Sequence, residues 1–292
     1  MKITEAFERG EFVVTAEVGP PKGFHIEHML EEAKTYLSGV TAVNETDNQS
    51  SVMRLGSLAT CKALKDEGLT PIFQLTCRDR NRIALQSDLL SAAMFGIENL
   101  LLLTGDHTKL GDHPQAKPVF DLDSVSLIHT VKQLESGVDL GGNELVGEPP
   151  KFAKGAVVSP CSDSVDVQLA KMERKVAAGC DYFQTQAVYE PEKFIQFMEK
   201  AKQFGKPVQL GIVIPKSVGM CRYMNANVAG IHIPEEMIDE LKADKEKTKA
   251  GITGVEIAAR IIRECKPYCQ GVHIMALGWE SKVPELLKQA GI

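Results

Sequence analysis

The sequence predicts a (β/α)8 TIM barrel, and three observations carry that expectation. Eight short β-branched or apolar runs alternate with longer amphipathic stretches from one end of the chain to the other. Polar residues cluster directly after those runs, where barrel enzymes build their sites. The turn after the first run reads Val18-Gly19-Pro20-Pro21-Lys22-Gly23. Its prolines lack the amide donors that the phosphate turn of a doubly wound sheet must supply. The chain has 292 residues, enough for one barrel, and no linker, repeat or composition shift divides it. A single domain over 1–292 is expected.

Taken in order, the strands are expected at 12–18, 41–44, 71–75, 99–103, 155–158, 182–185, 208–214 and 271–275. Each is a short apolar or β-branched run of strand length. Helices are expected at 26–36, 55–66, 83–95, 124–134, 167–177, 191–204 and 256–265, where apolar residues recur three and four apart. Asp123-Ser124 opens one helix, and Ala178-Gly179 and Phe204-Gly205 close two others. Two connections exceed what a barrel needs. The segment 104–120 follows the fourth strand and belongs at the C-terminal mouth; 136–154 precedes the fifth and belongs at the opposite, structural end.

Composition removes several functions. With 43% hydrophobic and 25% charged residues the chain is neither collagen-like nor wholly disordered. Lys+Arg 33 against Asp+Glu 39 gives a charge of -6 with no basic block, which argues against nucleic acid or an anionic membrane surface as partner. No apolar run is long enough to span a bilayer, and the first residues do not read as a signal peptide, so a cytoplasmic protein is expected. Seven scattered cysteines agree with a reducing compartment. Cys265 and Cys269 lack the second pair a zinc site would need, so they read as structural thiols and no metal site is expected.

The barrel narrows attention to strand ends. Glu17 follows an apolar run and precedes the rigid Pro20-Pro21 turn. Burial there favours the protonated form and makes Glu17 a candidate general acid; a salt-bridged strand end is the ordinary alternative. The second strand ends in Asn44-Glu45-Thr46-Asp47-Asn48, the third in Gln74-Leu75-Thr76-Cys77, the fourth in Thr104-Gly105-Asp106. The sixth ends in Gln184-Thr185-Gln186, and only one of these glutamines is expected to face the axis. Amides and carboxylates around a mouth suit a flat heterocycle rich in donors and acceptors. His25 and His28 read as ordinary helix-start residues, and Met220, Met224 and Trp279 as packing.

These motifs, in this order, resemble the methylenetetrahydrofolate reductases, flavoprotein barrels that make 5-methyltetrahydrofolate. The matching stretches are Glu17 with Pro20-Pro21, 74–77, 103–106, 120–124, 174–181 with 184–186, and 272–279. Carried over residue by residue, the resemblance implies that Glu17 is the acid that opens the folate ring and that Asp106 lies between flavin and pterin. It implies flavin contacts from Asn44, Gln74, Thr104, Gly105, Asp106, Asp123, Val158, Gln168 and Lys175. It implies substrate contacts from Glu17, Asp106, Gln186 and Tyr223, with Met224 competing for the last position. FAD is the flavin the resemblance implies; Gln74 and Thr104 stand where some members have histidine and arginine, which weakens contact with phosphate or flavin and makes FMN the alternative.

The resemblance is strongest to reductases of anaerobic, acetogen-like bacteria, some of which work with a second, zinc-containing subunit. The implied electron donor is therefore NAD(P)H, entering the folate site in turn, or a partner subunit, and an oligomer is expected. Two rival readings remain at this point: a flavin-free pterin barrel that transfers a methyl group to a corrinoid protein, and a silent scaffold subunit. A flavin spectrum separates the reductase from both.

Overall fold

The computed structural model describes residues 1–292. Eight parallel strands close in sequence order into a barrel, with β1 hydrogen-bonded to β8 as well as to β2. They are β1 (Val13–Val18), β2 (Ala42–Glu45), β3 (Pro71–Thr76), β4 (Asn99–Leu103), β5 (Ala153–Val158), β6 (Tyr182–Ala187), β7 (Val208–Val213) and β8 (Gly271–Met275). All eight expected strands are present, with no end displaced by more than two residues.

The seven expected helices are present as α2 (Glu27–Tyr36), α3 (Ser57–Asp66), α4 (Arg82–Met94), α5 (Ser124–Glu135), α6 (Val165–Ala178), α7 (Pro191–Ala201) and α11 (Ile252–Cys265). Their signals hold: Asp123 Oδ1 accepts the Ser126 amide at 2.8 Å, and Gly179 and Gly205 end helical segments in the left-handed region at φ 112° and 59°. Five more helices were not expected: α1 (Ile3–Glu8), α8 (Val218–Asn227), α9 (Glu235–Ala243), α10 (Lys245–Lys249) and α12 (Val283–Ala290). Four of them, α1, α9, α10 and α12, have nine residues or fewer, shorter than any of the seven expected helices, which leaves a 3.6-residue period little room to stand out. Helix α8 buries only Cys221 and Met224, so it has no apolar stripe to read.

The interior is layered. Alternation along β1 turns Val13, Thr15 and Glu17 toward the axis and Val14, Ala16 and Val18 toward the helices. Val13, Ala42, Ile72, Leu101, Ala153 and Tyr182 form the lowest inner layer, capped by Ile3 and Ala6 of α1. Gly155 makes room for the Tyr182 ring; a Cβ there would lie 2.3 Å from it. The Ile3 amide donates to Asn99 Oδ1 at 2.7 Å, which fixes α1 under the barrel. This plug closes the N-terminal end. Outside the strands, a larger apolar core joins the barrel wall to the helices. Above the lowest layer the interior becomes polar, and that change sets the level of the site.

The segment 136–154 lies at the plugged end, between α5 and β5, as expected. The segment 104–120 returns along the end of β3, where the Val119 and Phe120 amides donate to Arg78 and Cys77 carbonyls at 2.8 and 3.2 Å. No helix is long and apolar enough to cross a membrane. All seven cysteines are unpaired and buried, and Cys269 Sγ donates to the Gly271 and Cys265 carbonyls at 3.3 and 3.5 Å. Burial pushes the thiols up, to about 12 for Cys77 and about 11 for Cys161, Cys221 and Cys269. Thiolate chemistry is therefore suppressed. An aromatic disulfide reagent at neutral pH should release almost no colour from native protein within minutes and seven equivalents after unfolding. A fast native equivalent would contradict the burial.

Candidate active site

A cavity of about 420 Å³ opens at the C-terminal ends of the strands. Of the residues expected there, Glu17, Gln74, Thr104, Gly105, Asp106, Val158, Gln168, Lys175 and Gln186 line it. Asn44 lies one layer below, fully buried and hydrogen-bonded to Gln184 at 2.9 Å. Asp123 caps α5, and its neighbour Ser124 is the residue in the lining. Tyr223 sits on α8, 64% exposed and outside the lining. Gln184 lines the cavity together with Gln186. The expectation that only one glutamine faces the axis is thus corrected, because residues two apart on a strand share a face.

Glu17 is 8% exposed and held by three neighbours. Gln74 Nε2 donates to its Oε1 at 3.0 Å, Gln49 Nε2 donates to its Oε2 at 3.3 Å, and His273 Nε2 lies 3.4 Å from Oε1. The layer beneath reaches His273 through Thr15. Gln209 Nε2 points at the Val13 and Val272 carbonyls, which fixes its amide orientation. Gln209 Nε2 and Gln184 Nε2 also lie 3.1 and 3.2 Å from Thr15 Oγ1. Thr15 Oγ1 in turn shares a hydrogen bond with His273 Nδ1 at 3.0 Å, which orients the imidazole with Nε2 toward Glu17.

His273, Gln49 and Arg78 were not anticipated as site residues. Only the parity of His273, between the outward Val272 and Ile274, could have pointed to it. Gln49 is delivered by a strained segment: Asn48, Ser50 and Ser51 have φ of 46°, 55° and 59° without being glycine.

The mouth is braced by Asp47, whose side chain is fully buried. It accepts from the Thr76 amide and hydroxyl at 2.9 and 2.8 Å and from Arg80 at 2.8 and 3.2 Å. At the end of β4, Gly105 turns at φ 91°, where a Cβ would press on Thr76 and Arg78 at 3.1 Å. That turn places the Asp106 carboxylate in the lining. Thr104 Oγ1 accepts the Ser124 amide at 3.0 Å and joins the turn to the start of α5. Lys171 and Lys175 bring positive charge to the lining from α6. Lys175 donates to the Val157 carbonyl at 2.6 Å, and burial holds its pKa below the usual lysine range. The cavity thus carries carboxylates from β1 and β4 and cations from α6.

Comparison with known proteins gives the family and the fold. The description "Methylenetetrahydrofolate reductase" matches residues 2–291. Methylenetetrahydrofolate reductase 2 of Schizosaccharomyces pombe is 25% identical over 248 residues, covering 81% of this chain but 38% of its own length. The chain thus spans little more than a third of that relative. The 5,10-methylenetetrahydrofolate reductase of Escherichia coli is 24% identical over 265 residues, 87% of this chain and 82% of its own. Among solved structures, an uncharacterised Clostridium thermocellum protein that binds two copies of 5-methyl-5,6,7,8-tetrahydrofolic acid shares the fold. Its TM-score is 0.65 at 17% identity, over 98% of this chain and 96% of that one. The match extends over nearly every residue of the barrel: the chain belongs to the methylenetetrahydrofolate reductase family.

Proposed function

We propose that this chain reduces 5,10-methylenetetrahydrofolate to 5-methyltetrahydrofolate in the cytoplasm, using a bound flavin, with Glu17 as the general acid. The observation that carries this reading is Glu17 itself: a buried carboxyl at the mouth, held by two amide N–H groups and faced by His273 Nε2, in a cavity that also presents Asp106. The printed activities of the relatives and the methylated folate bound by the C. thermocellum protein support the substrate class.

The residues present fit a flavin. The cavity volume suits a cofactor-sized ligand. Lys171 and Lys175, with Gln168, would hold its phosphate-bearing tail, and the close backbone turn at Gly105 with Thr104, Gln74 and Asp106 would receive its ring system. Bound there, the flavin supplies the hydride. Glu17 gives its proton to N10 of the folate as the bond from the methylene carbon to N10 breaks, with the bond's electron pair going to N10. The N5 lone pair makes the N5 iminium, and hydride completes the methyl group. Glu17 is left as a carboxylate, and the N–H groups of Gln74 and Gln49 already point at the charge that develops, with His273 Nε2 3.4 Å from Oε1. Gln186 would hydrogen-bond the folate and Asp106 its pterin.

FAD is the proposed flavin, with FMN the alternative, and NAD(P)H entering the same cavity in turn or a partner subunit is the proposed reductant. Purified protein should show a flavin absorbance band, and mass analysis of the released cofactor identifies it. A colourless protein that still bound folate would point to methyl transfer instead.

Asp106 gives a second test. Asp106→Asn removes negative charge beside the proposed flavin site, so the reduced, anionic cofactor is less repelled and the midpoint potential should rise. Folate affinity should fall by about 10- to 100-fold as a charged acceptor is lost. Spectroscopic redox titration and folate binding check both; no change in either would place Asp106 away from the two rings.

A further inference from the structure

A second cavity, of about 460 Å³, lies against Glu17 on the side of the Pro20-Pro21 turn and α2. Glu17 and Gln49 line both cavities. Thr46 and Glu280, 2% and 4% exposed, belong to the wall of the second one. Thr46 Oγ1 and Glu280 Oε2 have no hydrogen-bond partner in the protein. Exposed His25 and His28 line the same cavity and connect it to the surface. Two orphaned buried oxygens on one polar wall are the usual mark of bound water, and the volume admits a chain of several molecules.

We infer that this cavity is the proton-entry chamber of Glu17. The inference rests on Glu17 being the proton donor. Each turnover leaves Glu17 ionised while flat rings fill the first cavity and cover it. The second cavity stays open to solvent on the histidine side. A proton taken up there passes along water, held by Thr46 and Glu280, and ends on the Glu17 carboxylate. Each O–H bond broken along the chain is replaced by one formed on the next oxygen. The net change is one solvent proton added to Glu17, with nothing oxidised or reduced. The ionisable groups around the path are Glu280, Arg54, His25, His28 and Glu32. His273 faces Glu17 from β8, and Glu45 ends β2, where burial pushes its carboxyl well above the usual range.

Blocking the chamber without touching Glu17 or its hydrogen-bond partners tests this. A Cβ on Gly19 would sit 3.8 Å from Thr46 Oγ1, an ordinary contact, so Gly19→Leu extends into the cavity; Thr46→Leu fills it from the neighbouring strand end. Pre-reduced flavoprotein is loaded with methylenetetrahydrofolate in alkaline buffer and then jumped to mildly acidic buffer. Wild type should reoxidise as fast after the jump as when equilibrated in acid beforehand. Either plugged variant should match wild type when equilibrated beforehand and lag by about tenfold after the jump. Infrared detection of the carboxylic C=O band of Glu17 under the bound methylated folate, assigned by its loss in Glu17→Gln, should show the same lag. Plugged variants with no lag in either readout would overturn the chamber. Normal reoxidation in Glu17→Gln would instead overturn the acid role on which it rests, so the two failures are distinguishable.

Discussion

Glu17→Gln should leave flavin bound and reducible and slow its reoxidation by methylenetetrahydrofolate by about two to four orders of magnitude. The substitution keeps the size of the side chain. It also keeps one acceptor oxygen, enough for one of the two amides, Gln74 or Gln49, that donate to the two carboxyl oxygens at 3.0 and 3.3 Å. What it removes is the proton that, in the proposed mechanism, must reach N10 as the ring opens. Reduction of the flavin needs no acid, so the reductive half-reaction serves as an internal control for folding and cofactor binding. Rapid mixing of pre-reduced variant with the folate isolates the affected step. Reoxidation near the wild-type rate would mean that water or another group supplies the proton.

Asp47→Ala should destabilise the barrel by about 3 kcal/mol, at the low end of what removing one partner of a buried ion pair costs. Four hydrogen bonds converge on this carboxylate, two from Thr76 and two from Arg80. Truncation orphans a buried amide at the end of β3. Arg80 retains Asp88 at 2.8 Å, which holds the loss toward the lower limit. The urea midpoint should fall at an unchanged slope. A double-mutant cycle with Arg80→Ala should show coupling between the two positions, since they share these bonds. Additive losses would mean that Asp47 acts through Thr76 alone. The variant should also bind folate more weakly, because Thr76 is bonded to Asp47 and Gln74 lies two residues before it on the same strand.

How much of this was legible in the sequence depends on range. The strands were legible because β-branched runs and their spacing are local properties. Glu17, Gln74 and Asp106 were legible because they end such runs. His273 was not: it sits in the apolar run Val272-His273-Ile274-Met275, and its partner Thr15 is 258 residues away. Thr15 in turn meets Gln184 and Gln209 from two further strands, a relation that only closure of the barrel creates. Gln49 was hidden for a different reason, since three left-handed non-glycine residues carry it inward and no composition signal announces them. The plug α1 is six residues long, shorter than two turns, and its stability comes from the barrel floor it covers. Tyr223 marks the limit of carrying a role over by resemblance. Its ring is exposed on α8, so any part it takes in substrate binding requires movement toward the mouth on binding.

The most direct measurement of the central claim is anaerobic rapid mixing of reduced wild-type flavoprotein with 5,10-methylenetetrahydrofolate, with the quenched products analysed. The account predicts full recovery of the oxidised flavin band together with one equivalent of 5-methyltetrahydrofolate per flavin. Flavin that stays reduced in the presence of bound folate, or recovers without forming the methylated product, would contradict it.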